Sequence, residues 1–189
     1  MTDDDPPRSP ARRGPAATVD ALTVDIVVVS PAWRQAVDRV EDSCRAAALA
    51  ALDAADQAVP GLEIGIRLSA DDELRDLNRR TRGRDAPTNV LALALTDYRP
   101  GERLPAPPGG APLALGDVVL ADGVVIAEAR RAGKPVADHL RHLVVHGVLH
   151  LLGHDHQNDA EARVMEGLES VALATLGVAD PHAPNRVSG

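Results

Sequence analysis

His146 and His150 lie four residues apart in an aliphatic stretch of the chain. Residues at this spacing share one face of an α-helix, with their β-carbons about 5–6 Å apart. Two imidazoles placed in this way can bind the same metal ion. The pair therefore predicts part of a metal site on a helix.

A third ligand is predicted just beyond that helix. Gly153 favours a helix end, because glycine readily adopts the left-handed conformation found there, and the reversed chain then returns His156 to the face of the first two histidines. Three neutral imidazoles suit zinc and leave a fourth position for water, as in catalytic sites. We expect one Zn²⁺ ion bound by His146, His150 and His156.

The other histidines of this region are interpreted as ordinary core or surface residues. His139 and His154 do not share the spacing of the predicted ligands. His142 continues the four-residue stripe, but it lies a full turn farther from the segment that carries His156. None of the three is placed in the predicted metal site.

Gly147 follows the first ligand at a position where metzincin peptidases, with the signature His-Glu-x-x-His, carry a glutamate. That glutamate takes a proton from water and passes it to the leaving amine. A peptidase built on this chain would lack its main proton carrier. Asp155 is a possible substitute base, although a role in the turn or behind an imidazole is favoured.

Five arginines within ten residues form a second candidate site: Arg75, Arg79, Arg80, Arg82 and Arg84. Guanidinium groups fit phosphate oxygens and can stabilise the charge of a pentacoordinate phosphorus transition state. A solvated helix face that ends in a basic loop gives the same pattern. The arginines alone do not distinguish phosphate binding from a solvated surface.

The elements that position these residues are strands rich in β-branched residues and helices rich in alanine or leucine. Strands are predicted at 22–29, 62–68, 88–95 and 115–120, and helices at 31–58, 70–80, 122–131, 136–152 and from Asn158 to the residues before Gly177. Ser30, Ser69 and Asn158 are the predicted N-caps. The proline- and glycine-rich segment 100–112 is expected to be a surface loop. The mixed order predicts an α+β fold with a four-stranded mixed sheet and about five helices.

Composition favours one small domain. The 189 residues are 44% hydrophobic and contain no apolar run near the roughly 20 residues of a membrane span. We expect a domain over 21–180, a disordered tail over 1–20 and a flexible tail over 181–189. The single cysteine, Cys44, predicts a reducing cytoplasm and a buried structural role. The net charge of −8 and the scarcity of aromatic residues argue against a basic surface and against base stacking as the main mode of binding nucleic acid.

The string His-Gly-x-x-His-Leu-x-Gly-x-Asp-His at 146–156 resembles the YbeY family of bacterial ribosomal RNA maturation factors, which are metal-dependent endoribonucleases. Further segments fit the family in the same order along the chain: Leu77-Asn78, 82–91, Leu115-Gly116-Asp117, Gly133-Lys134-Pro135 and 165–169. The resemblance spans roughly 22–180. It fails at 92–94, where the family usually has Ser-Phe-Pro and this chain has Ala-Leu-Ala.

The resemblance implies a function and a role for each matching residue. His146, His150 and His156 match the zinc ligands, and Arg82 matches the arginine needed for RNA cleavage, so Arg82 and His146 are the candidate catalytic residues. The implied activity is a cytoplasmic, single-strand-specific endoribonuclease that matures the 3′ end of small-subunit ribosomal RNA and serves ribosome quality control. Its partners would be the small subunit and its assembly proteins, with no membrane involved. Two alternatives stay open, a metzincin-like zinc peptidase and a non-catalytic ribosome assembly factor with a structural zinc.

Overall fold

A computed structural model describes residues 22–105 and 111–183 of the chain. The four strands in these ranges are β1 (Thr23–Val28), β2 (Leu62–Ser69), β3 (Val90–Ala94) and β4 (Leu113–Ala121). The six helices are α1 (Ala32–Ala36), α2 (Val40–Ala54), α3 (Asp71–Arg82), α4 (Asp122–Arg131), α5 (Val136–Leu151) and α6 (Asp159–Thr175). The tail predicted over 1–20 and most of the tail predicted over 181–189 lie outside the described residues, as do residues 106–110 of the predicted loop.

The strands form one mixed sheet in the order β1-β2-β4-β3. β1, β2 and β4 run parallel, and β3 pairs antiparallel with β4 at one edge. This confirms the predicted α+β fold with a four-stranded mixed sheet. The parallel strands require crossover connections, which α2 and α3 help to supply.

The main core lies between one face of the sheet and the helices. Ile64, Ile66 and Leu68 alternate along β2 and point into this core, where they join buried residues of α2, α5 and α6. On the opposite face, α3 packs Leu74 against Leu91 as part of a smaller cluster. Helix α5 is apolar over most of its surface and contacts α2, α4 and α6 as well as the sheet. The predicted metal helix is therefore held on several sides.

The single helix predicted over 31–58 is wrong. The chain leaves helical geometry at Val37, which is extended, and at Arg39, which has a φ of 48°. Trp33 is fully buried and donates from Nε1 to the backbone oxygen of Ser69 at 3.0 Å, which fixes α1 at the end of β2. The alanine-rich pattern continues through the break, so the pattern did not reveal it.

The end of α2 also differs from the prediction. The helix stops at Ala54, and Asp56 takes a left-handed conformation. Gln57 is thereby buried, and its amide binds the backbone oxygen of Glu102 at 2.9 Å and the backbone N–H of Leu104 at 3.1 Å. These hydrogen bonds hold the start of the predicted loop against the end of α2, where the helix could otherwise have continued.

Of the predicted N-caps, only Asn158 is confirmed. Its side-chain oxygen accepts hydrogen bonds from the backbone N–H groups of Ala160 and Glu161, both at 3.1 Å. Ser69 ends β2 and donates its hydroxyl to Glu73, so Ala70 is the N-cap of α3. Ser30 precedes the N-cap of α1, which is Pro31.

In the part of the chain that the structure describes, no helix combines the length and the apolar character needed to cross a bilayer. Cys44 is fully buried, and burial raises the pKa of its thiol to about 12. A thiol in this state is a poor nucleophile, in agreement with the structural role expected for it.

Candidate metal centre

Helix α5 and the turn after it bring three imidazoles together. One nitrogen each from His146, His150 and His156 lies within 4.8 Å of the other two. The Nε2 atoms of His146 and His150 are 3.0 Å apart, and the centre of the His156 ring lies 5.4 and 5.2 Å from the centres of theirs. Small ring movements would let all three reach one zinc ion at bonds of about 2.0–2.1 Å. The three are neighbours in space, and their binding of a metal stays a prediction.

The two helix histidines direct their Nδ1 atoms away from this cluster. His150 Nδ1 lies 2.8 Å from the backbone oxygen of His154, which can only accept a hydrogen bond. His146 Nδ1 lies 2.7 Å from Oε1 of Glu169. With Nδ1 donating in both rings, each Nε2 carries a lone pair toward the other ligands. This is the tautomer that a metal ligand needs, so the residues fit the predicted ion.

Glu169, on α6, is a residue of the site that the sequence did not reveal. It is only 2% exposed and lies on the buried stripe of α6 with Met165, Ala172 and Leu173. Burial acts to raise the pKa of its carboxyl, but hydrogen bonds from His142 and His146 outweigh burial and hold the pKa far below its usual value. The signal that could have identified it is a glutamate on the otherwise apolar stripe of a predicted helix.

The His150 ring is largely buried between its neighbours. Burial, followed by the nearby His146 and His156, lowers the pKa of His150 to about 4. The ring is therefore neutral near pH 7, which is the form that binds metal ions.

The turn that carries His156 depends on Gly153. This residue has a φ of 85°, and a β-carbon added there would lie 1.9 Å from the backbone oxygen of Tyr98. The predicted left-handed glycine is confirmed, and its close approach to another segment excludes any side chain. After it, Asp155 accepts hydrogen bonds from the backbone N–H of His156 at 2.8 Å and from the Gln157 side chain at 2.6 Å. Asp155 thus shapes the turn, as favoured from the sequence.

Gly147 packs against the sheet. A β-carbon at this position would lie 2.5 Å from Cγ1 of Val118, a fully buried residue of β4. The absence of a glutamate here therefore has a structural reason, since a side chain would push α5 away from β4.

A cavity of about 640 Å³ joins the three histidines to part of the arginine cluster. Arg82 and Arg84 line it together with Thr88, Asn89 and the three imidazoles. Arg75 and Arg79 do not line the cavity; they form exposed ion pairs with Asp85 and Asp76. The structure thus divides the cluster into a solvated part and a part that faces the candidate metal centre.

The remaining histidines have other partners. His139 Nε2 lies 2.9 Å from Glu128, and His154 contributes its backbone oxygen to His150. His142 and His182 both approach Glu169, at 3.0 and 2.5 Å. His142 is not among the predicted metal ligands. Its contact with Glu169 was not predicted from the sequence.

Comparison with known proteins identifies a family to which the sequence is similar. The sequence model described as Endoribonuclease YbeY matches residues 32–177. The protein named Endoribonuclease YbeY from Paramagnetospirillum magneticum is 48% identical over 163 residues, which cover 85% of this chain and 97% of that protein. The protein of the same name from Rhizorhabdus wittichii is 49% identical over 151 residues, which cover 79% of this chain and 86% of that protein. A solution structure of a Thermotoga maritima protein is 18% identical, with a TM-score of 0.49, and the match covers 86% of this chain and 100% of that protein. It is too distant to bear on function.

Proposed function

The chain belongs to the YbeY family of endoribonucleases, and from that premise we propose that it is a zinc-dependent enzyme that cuts single-stranded RNA in the cavity between α5 and the end of α3. The observation that carries this proposal is the shared cavity, which is lined both by three converging imidazoles and by Arg82 and Arg84. Within the described residues, neither of these arginines forms an ion pair.

His146, His150 and His156 would hold a single zinc ion through the nitrogens that lie close together at the cavity. When bound, zinc supplies a Lewis acid that polarises a phosphoryl oxygen. Glu169 and the backbone oxygen of His154 keep the two helix rings in the required orientation and tautomer.

Arg82 is the proposed phosphate-binding residue. It ends α3 and is exposed toward the cavity, where its planar guanidinium can donate two parallel hydrogen bonds to the non-bridging oxygens of a phosphodiester. These bonds strengthen as negative charge develops on the phosphorus oxygens in the transition state. Arg84, which also lines the cavity, would contact a neighbouring phosphate of the RNA.

The general base is not a glutamate of the metal helix, since Gly147 occupies that position. Asp155 lines the cavity, but both of its oxygens already accept hydrogen bonds within the turn. The nucleophile is either the 2′-hydroxyl of the substrate or a water molecule, and the ends of the products distinguish the two. Attack by the 2′-hydroxyl on phosphorus would break the bond to the 5′-oxygen, and the proton lost by the 2′-oxygen would be matched by one gained by the 5′-oxygen. The products would be a 2′,3′-cyclic phosphate and a 5′-hydroxyl, whereas attack by water would leave a linear phosphate and a hydroxyl.

The test compares Arg82→Ala with Arg79→Ala, an exposed arginine of the same helix that pairs with Asp76 outside the cavity. We expect Arg82→Ala to cut single-stranded RNA about 100-fold more slowly, with unchanged zinc content, because one transition-state donor is lost. Arg79→Ala should stay within about twofold of the wild type. Equal rates for both variants would contradict the proposal.

We further propose that the substrate in the cell is precursor ribosomal RNA of the small subunit, cut at its 3′ end in the cytoplasm, and that residues 21–180 form the domain responsible. The motif at 146–156 and the family membership support this assignment. In cells that carry Arg82→Ala, unprocessed 3′ ends should accumulate. Normal ribosome maturation with a folded Arg82→Ala protein would instead favour the non-catalytic assembly factor.

A further inference from the structure

A second group of possible metal ligands lies behind the candidate metal centre. It consists of His142 on α5, Glu169 on α6 and His182 in the turn after α6. One ligand atom from each lies within 4.8 Å of the other two. The function proposed above uses Glu169 only through Oε1 and makes no use of either histidine.

We propose that His142, Glu169 and His182 form a second binding site for a divalent transition-metal ion, separate from the three-histidine centre. Two imidazoles and one carboxylate are a ligand set that zinc takes in proteins, with room for water. The proposal does not rest on the endoribonuclease function.

The ligand atoms lie close together around Oε2 of Glu169. His142 Nε2 lies 3.0 Å and His182 Nε2 lies 2.5 Å from Oε2 of Glu169, and the two rings are nearly perpendicular with their centres 5.7 Å apart. Zinc bonds of about 2.0–2.2 Å place ligand atoms about 3.3 Å from one another in a tetrahedral site. The contact between His182 and Glu169 would lengthen by about 1 Å to admit the ion.

Glu169 can serve both sites because its two oxygens have different partners. Oε1 accepts from His146 Nδ1 at 2.7 Å, while Oε2 faces His142 and His182. The residue is 2% exposed, so its charge is held away from water and needs partners on both sides. A cation at Oε2 would provide such a partner.

The turn that presents His182 is fastened to α6. Asp180 Oδ1 accepts hydrogen bonds from Ser170 Oγ and from the backbone N–H of His182, both at 2.9 Å. His182 Nε2 donates to Glu169 Oε2 in the metal-free protein, and a bound ion would take the place of that proton. A cavity of about 140 Å³ lies beside His142 and is lined also by Asp138 and Asp180.

Hydrogen bonds alone would also explain the cluster, so the experiment must count ions. The full chain is stripped with a chelator, titrated with Zn²⁺ and analysed for bound zinc per chain. We expect His182→Gln to bind one zinc fewer than the wild type, because glutamine keeps a hydrogen bond to Glu169 but is a poor zinc ligand. His139→Gln, whose partner is Glu128, is the matched control and should bind as many ions as the wild type.

Equal zinc content in His182→Gln and the wild type would overturn the second site. The three-histidine centre is tested separately with His150→Ala. This variant should bind one zinc fewer than the wild type and should keep the zinc ion bound by His182. A wild type that binds one zinc, retained in His150→Ala and lost in His182→Gln, would support the second site while contradicting the first. If His182→Gln fails to fold, His142→Gln provides the same comparison.

Discussion

Among single residues, Glu169 shows that the predicted ligands depend on groups far away in the chain. The three histidines are close in sequence, but the carboxylate that orients His146 comes from α6, 23 residues later. Local spacing predicts which imidazoles can share an ion. It does not predict the buried acid behind them, because that contact arises only when α6 packs on α5.

His150 makes the stability of the metal-free protein depend on pH. Its pKa falls from an unfolded value near 6.5 to about 4 in the folded state, so the unfolded chain binds more protons between these values. The contribution of His150 to the free energy of unfolding is fully present above pH 6.5 and is lost as the pH falls toward 4. We expect the free energy of unfolding to drop by about 1 kcal/mol between pH 7 and pH 5, after allowing for the partial exposure of the ring.

Urea unfolding of chelator-treated protein at the two pH values measures this drop, with His150→Gln as the comparison. The variant should lose that part of the pH dependence. The same dependence in both proteins would show that His150 does not carry it.

At the scale of elements, the approach of α5 to β4 is set by Gly147. A methyl group there would meet the stiff, buried side chain of Val118 at 2.5 Å. We expect Gly147→Ala to lower the free energy of unfolding by about 1–3 kcal/mol, the usual cost of overpacking, despite alanine's better helix propensity.

Gly167→Ala is the control for this prediction, since a β-carbon on this α6 glycine would meet nothing within 4 Å. It should leave stability unchanged or raise it by up to about 1 kcal/mol. Thermal or urea unfolding of both variants measures the difference, and a Gly147→Ala protein as stable as Gly167→Ala would refute the close-packing argument.

Periodicity and turn residues predicted most of the elements. All four strands were found near their expected positions, and α4 matches its predicted bounds of 122–131. The failure was the single helix over 31–58. Its break depends on the hydrogen bond from Trp33 to Ser69 and on the inward turn of Gln57, contacts between segments more than 30 residues apart. Local propensity carries no information about such contacts.

For the molecule as a whole, the net charge of −8 disfavours RNA contact away from basic patches. Two arginines, Arg82 and Arg84, line the cavity. If each neutralises one phosphate, the logarithm of the binding constant for single-stranded RNA should fall with the logarithm of salt concentration at a slope of about −1.4. Fluorescence anisotropy over a range of salt gives this slope. A slope of about −4 or steeper would mean that RNA binds along a much wider surface.

The chemistry of the site was more predictable than its surroundings. The spacing of His146, His150 and His156 was enough to expect their convergence. The family resemblance singled out Arg82, but the residue types alone did not divide the five clustered arginines. The three-dimensional structure shows that Arg82 and Arg84 face the cavity, while Arg75 and Arg79 form ion pairs.

The most direct test of the central claim is RNA cleavage by one protein preparation in three states: as purified, stripped of metal, and reloaded with Zn²⁺. Single-turnover rates on single-stranded RNA should fall to background on stripping and recover on reloading. His150→Ala, confirmed to be folded, should stay at background in every state. Cleavage that persists in the stripped protein, or in His150→Ala, would contradict a reaction that depends on the three-histidine centre.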